Sequence, residues 1–268
     1  MLRTRIITAL VLAAVLVGVV LYGPAWASRA LFALFIAAGA WEWSAFLNTS
    51  VHGMRVTFVL VVAALALGAR ALLYTPVAFA GLMQLAVGWW VVALLWLVLV
   101  PKRMHPWATA LAGTLALVPA WVALTRLVEG TWPRGAEWAI FVLVLAFAAD
   151  TGAYFAGHAF GSVKLAPRVS PGKTWEGVLG GLGLAAIVGY LGSRWFDLAP
   201  QRLMPLCLLS AAFSVVGDLT ESMFKRATGL KDSGRLFPGH GGVLDRIDSV
   251  LAATPVLCLG LPWLGVGA

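Results

Sequence analysis

Charge is what this sequence lacks most. Lys and Arg number nineteen and Asp and Glu only eleven, together 11% of 268 residues, where a soluble globular domain carries about a quarter. With 61% hydrophobic residues and a mean hydropathy of +0.93, this shortfall excludes an ordinary water-soluble fold. Cysteine is nearly missing too. Cys207 and Cys258 both stand in apolar runs without metal-ligand spacing, which excludes a disulfide framework or a thiolate metal centre and leaves them as packing residues. There is no low-complexity tail, soluble domain or convincing internal repeat. No basic run carries the interleaved aromatics of a nucleic-acid binder, so nucleic acid is excluded as a partner. The net charge of +8 belongs instead to loops beside a lipid bilayer.

What the sequence has is long apolar runs. Nine candidate spans lie at 6–22, 29–47, 56–73, 77–100, 108–127, 137–156, 175–195, 203–224 and 249–265, each about the length that crosses a hydrocarbon core as a helix. The expected fold is all-α: a polytopic integral membrane protein of about nine transmembrane helices. The 77–100 run contains Gly88 and reads either as a tilted helix or as a tight hairpin. MLRTR, an apolar run and PAWASRA resemble a signal peptide, but the run is long for one and more spans follow, so the first helix is read as retained.

Placing the N-terminus in the cytoplasm puts thirteen of the nineteen basic residues on the cytoplasmic side and six on the other, which fits the positive-inside rule. The short PKRMHPW loop (101–107) points the same way. Both long polar loops, 157–174 and 225–248, then face the cytoplasm. The chain reads as one membrane-embedded domain, with helices of 1–130 mainly scaffold and 137–265 as the catalytic half. The expected location is the cell membrane, multi-pass, with the active site on the cytoplasmic side.

The acids are few enough to read singly. Asp218 lies within AAFSVVGDLTES and shares a helical face with Glu221 at i, i+3. Asp150 stands in FAADTGAYFAG, another apolar segment. A charge at membrane depth is costly and marks function more often than structure. Asp245 and Asp248 repeat the i, i+3 spacing in LDRIDSV. Taken alone they would merely complement a helix dipole. Taken with Asp218 they form a hard-oxygen set suited to Mg²⁺, which normally takes one or two carboxylates plus substrate phosphates.

The loops supply the complement. In KDSGRLFPGHGGVLDRIDS (231–249), Gly241 and Gly242 let backbone N–H groups approach a phosphate, and Lys225, Arg226, Lys231, Arg235 and Arg246 offer cationic donors. In SPGKT (170–174), Ser170 or Thr174 caps a helix whose N-terminus faces an anion. The Walker A pattern is absent, because position 167 is Pro. His158 and His240 lack partner spacing for a transition metal and read as polar loop or phosphate contacts. Nothing has the pattern of a protein nucleophile. The residues describe a cytoplasmic Mg²⁺ and phosphate site for phosphoryl or nucleotidyl transfer to a lipid-borne acceptor.

The stretch SMFKRATGLKDSGRLFPGHGGVLDRID, Ser222 to Asp248, resembles the C-terminal signature of the phosphatidate cytidylyltransferases, the CDP-diacylglycerol synthases. The likeness extends to DTGAYFAGHAFGSVKLAPRVSPGKTWEG (150–177) and more loosely to AAGAWEWSAF (37–46). That family often has a basic residue where His158 and Ser162 stand, which weakens a phosphate role for those two. The resemblance implies the reaction CTP + phosphatidate → CDP-diacylglycerol + pyrophosphate in phospholipid biosynthesis, a homodimer, and Mg²⁺ with room for a monovalent cation such as K⁺. It makes Asp218, Asp245 and Asp248 metal-associated acids and Lys225 and Arg246 catalytic cations. It places Ser222, Arg226, Lys231, Asp232, His240, Gly241 and Gly242 on the substrate side, with Ser170, Lys173 and Thr174 from the other loop. Rival expectations are a CTP-dependent lipid kinase, a cytidylyltransferase for another lipid phosphate and, behind these, an ion-coupled transporter.

Overall fold

The computed structural model describes residues 2–47, 52–99, 104–129, 132–234 and 241–266, without the side chains of 2–9 and 72–73. Among the described residues nine long helices follow one another: α1 (Leu2–Tyr22), α2 (Ala25–Trp43), α3 (His52–Ala69), α4 (Pro76–Leu99), α5 (Pro106–Val128), α6 (Gly135–Phe160), α7 (Trp175–Trp195), α8 (Pro200–Ala227) and α9 (Leu244–Gly260). A two-stranded hairpin, β1 (Lys164–Ala166) and β2 (Ser170–Thr174), is the only sheet among the described residues. Helices α2 to α9 are all long and apolar enough to cross a membrane, α9 together with the 3₁₀ turn after it, and α1 is apolar over Leu10–Tyr22. The chain is an all-α polytopic membrane protein. Helices are the expected answer in a bilayer, since each satisfies its own backbone polar groups.

Each predicted span corresponds to one helix. The 77–100 run is a single continuous helix, α4. The boundaries differ in an instructive way. Helix α6 runs to Phe160 and α8 to Ala227, beyond their apolar windows, while α9 starts at Leu244, five residues before its own. Lys225, Arg226, Asp245 and Asp248 therefore sit on helix turns rather than on loop, and Asp218 and Ser222 lie on helix as the 203–224 span implied. The 157–174 segment, read as loop, ends in the β1–β2 hairpin, with Lys164 paired to Thr174 and Ala166 to Ser170.

Lipid tails are as apolar as leucine, so packing and small residues, rather than hydrophobic burial, hold such helices together. Helices α6 and α7 illustrate this. A Cβ on Gly152 would meet the Gly180 carbonyl, and one on Gly181 would meet the Ala149 carbonyl. Helices α5 and α9 are buried almost all round. An aromatic nest fixes the end of α8: Phe224 lies 5.0 Å from Trp43, 5.8 Å from Trp96 and 6.2 Å from Phe46, ring centre to ring centre. Trp43 Nε1 donates to the Thr109 carbonyl at 2.9 Å, which ties α2 to α5.

The polar residues gather at two ends. At one, Glu129 pairs with Arg29 and lies 3.3 Å from Arg70, joining the α1–α2, α3–α4 and α5–α6 ends. At the other, the ends of α2, α6 and α8 meet the starts of α7 and α9.

Candidate active site

Local hydrogen bonds join the hairpin to α7. Thr174 Oγ1 accepts the Gly177 N–H at 3.1 Å, so Thr174 is the N-cap of α7 and Ser170 instead begins β2. Glu176, in the first turn of α7, accepts the Val163 N–H at 3.1 Å and closes the base of the hairpin. Arg226 Nε, at the end of α8, donates to the Val169 carbonyl at 3.4 Å. Held this way, β2 presents Lys173 to Asp218 of α8, with which it forms an ion pair. Ser222, one turn on, stands 3.5 Å from the other Asp218 oxygen.

This pair borders a cavity of about 450 Å³ between α6, α7, α8 and the hairpin, lined also by Asp150, Tyr154, His158 and Ser170. Its size suits a small-molecule ligand. Asp150 accepts from Ser249 of α9 at 3.1 Å, so the inner wall reaches the last helix.

Beside it lies a second network. Lys225 Nζ is 2.6 Å from Asp245 and 3.3 Å from Glu221. The other Asp245 oxygen accepts from the Ser233 N–H at 3.1 Å, the Ser233 hydroxyl at 2.9 Å and the Gly242 N–H at 2.9 Å. Asp245 is thus the organiser of the segment between α8 and α9. Gly241 takes a left-handed φ of 81°, and a Cβ there would crowd the Asp245 carboxylate. Only glycine adopts that conformation at little cost.

The residue that sequence reasoning missed is Glu42, at the end of α2. Only 6% exposed, it accepts the Leu244 N–H at 2.7 Å and the Val243 N–H at 3.1 Å, and it lies 3.0 Å from the Ser233 hydroxyl, whose single hydrogen it shares with Asp245. A carboxylate at a helix N-terminus answers both the orphan donors and the dipole of α9. The available signal was an acid inside the apolar run AAGAWEWSAF. The 1–130 half therefore contributes a side chain to the site end.

Asp248 is buried and faces Glu221, with Asp218 and Asp150 within electrostatic reach. Both Glu221 oxygens are buried, with the Lys225 ammonium 3.3 Å from one of them. Asp150, Asp218, Glu221 and Asp248 therefore outnumber the ammonium groups of Lys173 and Lys225, one of which Asp245 also holds. This surplus of hard oxygen fits a divalent cation. No three acids among the described residues are close enough to chelate one ion by themselves. An ion here would take one or two carboxylates and complete its shell from phosphate and water, the habit of Mg²⁺.

Of the remaining predicted residues, Lys231 and Asp232 are exposed just before Ser233. Arg246 points to the other side of α9, into a separate apolar cavity. His240 and Arg235 lie outside the described residues.

The profile of the cytidylyltransferase family matches residues 3–262. The chain belongs to that family. It is 44% identical over 280 aligned residues to a phosphatidate cytidylyltransferase of Pseudomonas aeruginosa, covering 100% of both chains. A phosphatidate cytidylyltransferase of Haemophilus influenzae is 41% identical, covering 95% of this chain and 96% of its own. One from Brucella suis is 36% identical, covering 96% and 92%. The match spans residues 3–262, so it includes Glu42 and the N-terminal helices as well as the C-terminal signature.

Proposed function

We infer that this chain transfers a cytidylyl group from CTP to phosphatidate, giving CDP-diacylglycerol and pyrophosphate. The observation that carries the reading is the meeting, at one end of a membrane bundle, of the Lys173–Asp218 cavity with the Lys225–Asp245 network. A site placed so can serve one substrate from water and another that stays in the bilayer.

The chemistry needs no protein nucleophile. A phosphatidate oxygen attacks the α-phosphorus of CTP, a new P–O–P bond forms, and the bond to the β-phosphate breaks to release pyrophosphate. Lys173 and Lys225 would hold phosphate oxygens, and Ser170, Ser222, Arg226, Lys231 and the Gly241–Gly242 amides would complete the cradle. Mg²⁺ held by the acid set would neutralise charge on the phosphates. Asp218 and Asp248 suit direct contact with it. Asp245 would exchange Lys225 or its loop donors before joining them, and until then it positions Lys225. We place the N-terminus and this end of the bundle on the cytoplasmic side of the cell membrane, with the protein as a homodimer.

The test is pyrophosphate release by purified protein supplied with Mg²⁺, CTP and phosphatidate, using CTP labelled separately on its α- and γ-phosphates. Release that requires all three components, with the α-label retained in lipid, is expected. The γ-label in lipid would instead make the protein a kinase.

A further inference from the structure

A second cavity, of about 370 Å³, lies on the opposite side of α9 from the polar one. It is bounded by Leu12 of α1, Phe35 of α2, Leu143 and Phe147 of α6 and Val250 of α9, and its lining is apolar apart from Arg246. Its volume falls within the roughly 300–1,000 Å³ of small-molecule sites.

Three features bear on what it could hold. First, Arg246 stands on the first turn of α9, next to Asp245 and two residues from Asp248, so the charged mouth faces the site end. It lies within electrostatic reach of Asp150, a lining residue of the polar cavity. Second, the two cavities share a wall. Phe147 lies one turn before Asp150 on α6, and Val250 follows Ser249, whose hydroxyl bonds Asp150. Third, Leu12 is 37% and Phe147 45% exposed, so the cavity opens sideways where the helices meet hydrocarbon. The matching occupant has an apolar tail that arrives from the bilayer and an anionic head that stops at a guanidinium.

Resting on the cytidylyltransferase reading, we propose that this cavity receives one fatty-acyl chain of phosphatidate, with Arg246 at its mouth meeting the lipid phosphate. The chain arrives from surroundings as apolar as the cavity, so its binding gains no hydrophobic free energy. What the cavity adds is register: it fixes how deep the lipid sits, and hence where its phosphate oxygen lies relative to the α-phosphorus. Discrimination among lipids then follows chain shape and length.

The experiment uses the intact protein in nanodiscs and phosphatidate with a diazirine along one acyl chain. Photolabelling is expected on α1, α2, α6 and α9 at the lining positions, removed by excess phosphatidate and untouched by phosphatidylcholine. Labelling elsewhere, or equal competition by both lipids, would show ordinary boundary lipid or a second protein copy there and would overturn the proposal. Ala13→Trp, which fills the cavity from α1, supplies a second readout. It is expected to lower the ratio of kcat/KM for dioleoyl over dihexanoyl phosphatidate by about tenfold, because the long chain loses the seat that sets its depth whereas the short one hardly reaches it; tenfold equals about 1.4 kcal/mol of barrier. An unchanged ratio would also overturn it. The underlying reading fails separately: if wild-type protein turns over no phosphatidate of any length, the reaction assignment falls, whereas turnover without competed labelling removes only the cavity's role.

Discussion

Glu42 accepts the backbone N–H of Leu244 at 2.7 Å, across 202 positions of sequence. That bond, with those to Val243 and Ser233, fastens the start of α9 to the end of α2. Glu42→Ala would strand two buried N–H donors, each costing about 1–3 kcal/mol. The expected outcome is a clear fall in melting temperature with at least about a tenfold loss of kcat. Glu42→Gln, which keeps one acceptor, should recover part of both. Unchanged turnover in Glu42→Ala would remove Glu42 from the site's architecture.

Asp245→Asn should be far more damaging to activity. Asn cannot hold the Lys225 ammonium, only 12% exposed, so the pair that positions this cation is lost and turnover is expected to fall about a hundredfold, equal to about 3 kcal/mol of barrier. Pyrophosphate release measures this directly. Lys225→Met tests the same pair from its other side, and the double variant should be little worse than either single one, because the two residues act as a unit.

The Lys173–Asp218 pair differs, because both side chains are partly exposed, at 25% and 29%. Such pairs contribute under about 1 kcal/mol to stability. Lys173→Gln should therefore leave the melting temperature nearly unchanged while raising the KM for CTP by about tenfold, as expected from one lost charge-assisted phosphate contact. A melting temperature that falls sharply with KM unchanged would make the pair structural.

Two neighbouring glycines of α7 give a matched comparison of packing. A Cβ at Gly180 meets Ala156 and the Gly152 carbonyl, whereas one at Gly183 meets nothing within 4 Å. Gly180→Val should cost about 1–3 kcal/mol by overpacking and should also distort the polar cavity. Gly183→Val should do neither. Thermal melts in one detergent decide it.

Much of this arrangement was legible in the sequence. The nine spans could be read because apolar length is a strong signal, and α4 was uncertain only because Gly88 sits within it. The acids at 218, 245 and 248 stood out because charge is so rare in the chain. What could not be read was where helices outlast their apolar windows: polar residues on the last turns of α6 and α8 look like loop in any hydropathy reading. The β1–β2 hairpin was hidden for a related reason, since its five-residue second strand is SPGKT, which reads as a turn and cap. Glu42 escaped because its partners are backbone N–H groups some 200 residues away, and no local pattern announces them. Arg246 was grouped with the cations of the polar cavity by its neighbours in sequence, but one residue of helix turns a side chain by about 100° and sets it at the mouth of the apolar cavity instead.

Helix α9 is enclosed along most of its length, from Asp248 to Cys258, by α2, α4, α5, α6 and α8. It follows all of them in the chain, so each of these contacts closes a long stretch of sequence. Without it Glu42 would have no helix to cap, Lys225 would have no Asp245, and the apolar cavity would have no inner wall. One helix thus serves as a keystone, completing the polar network on one side and the apolar cavity on the other.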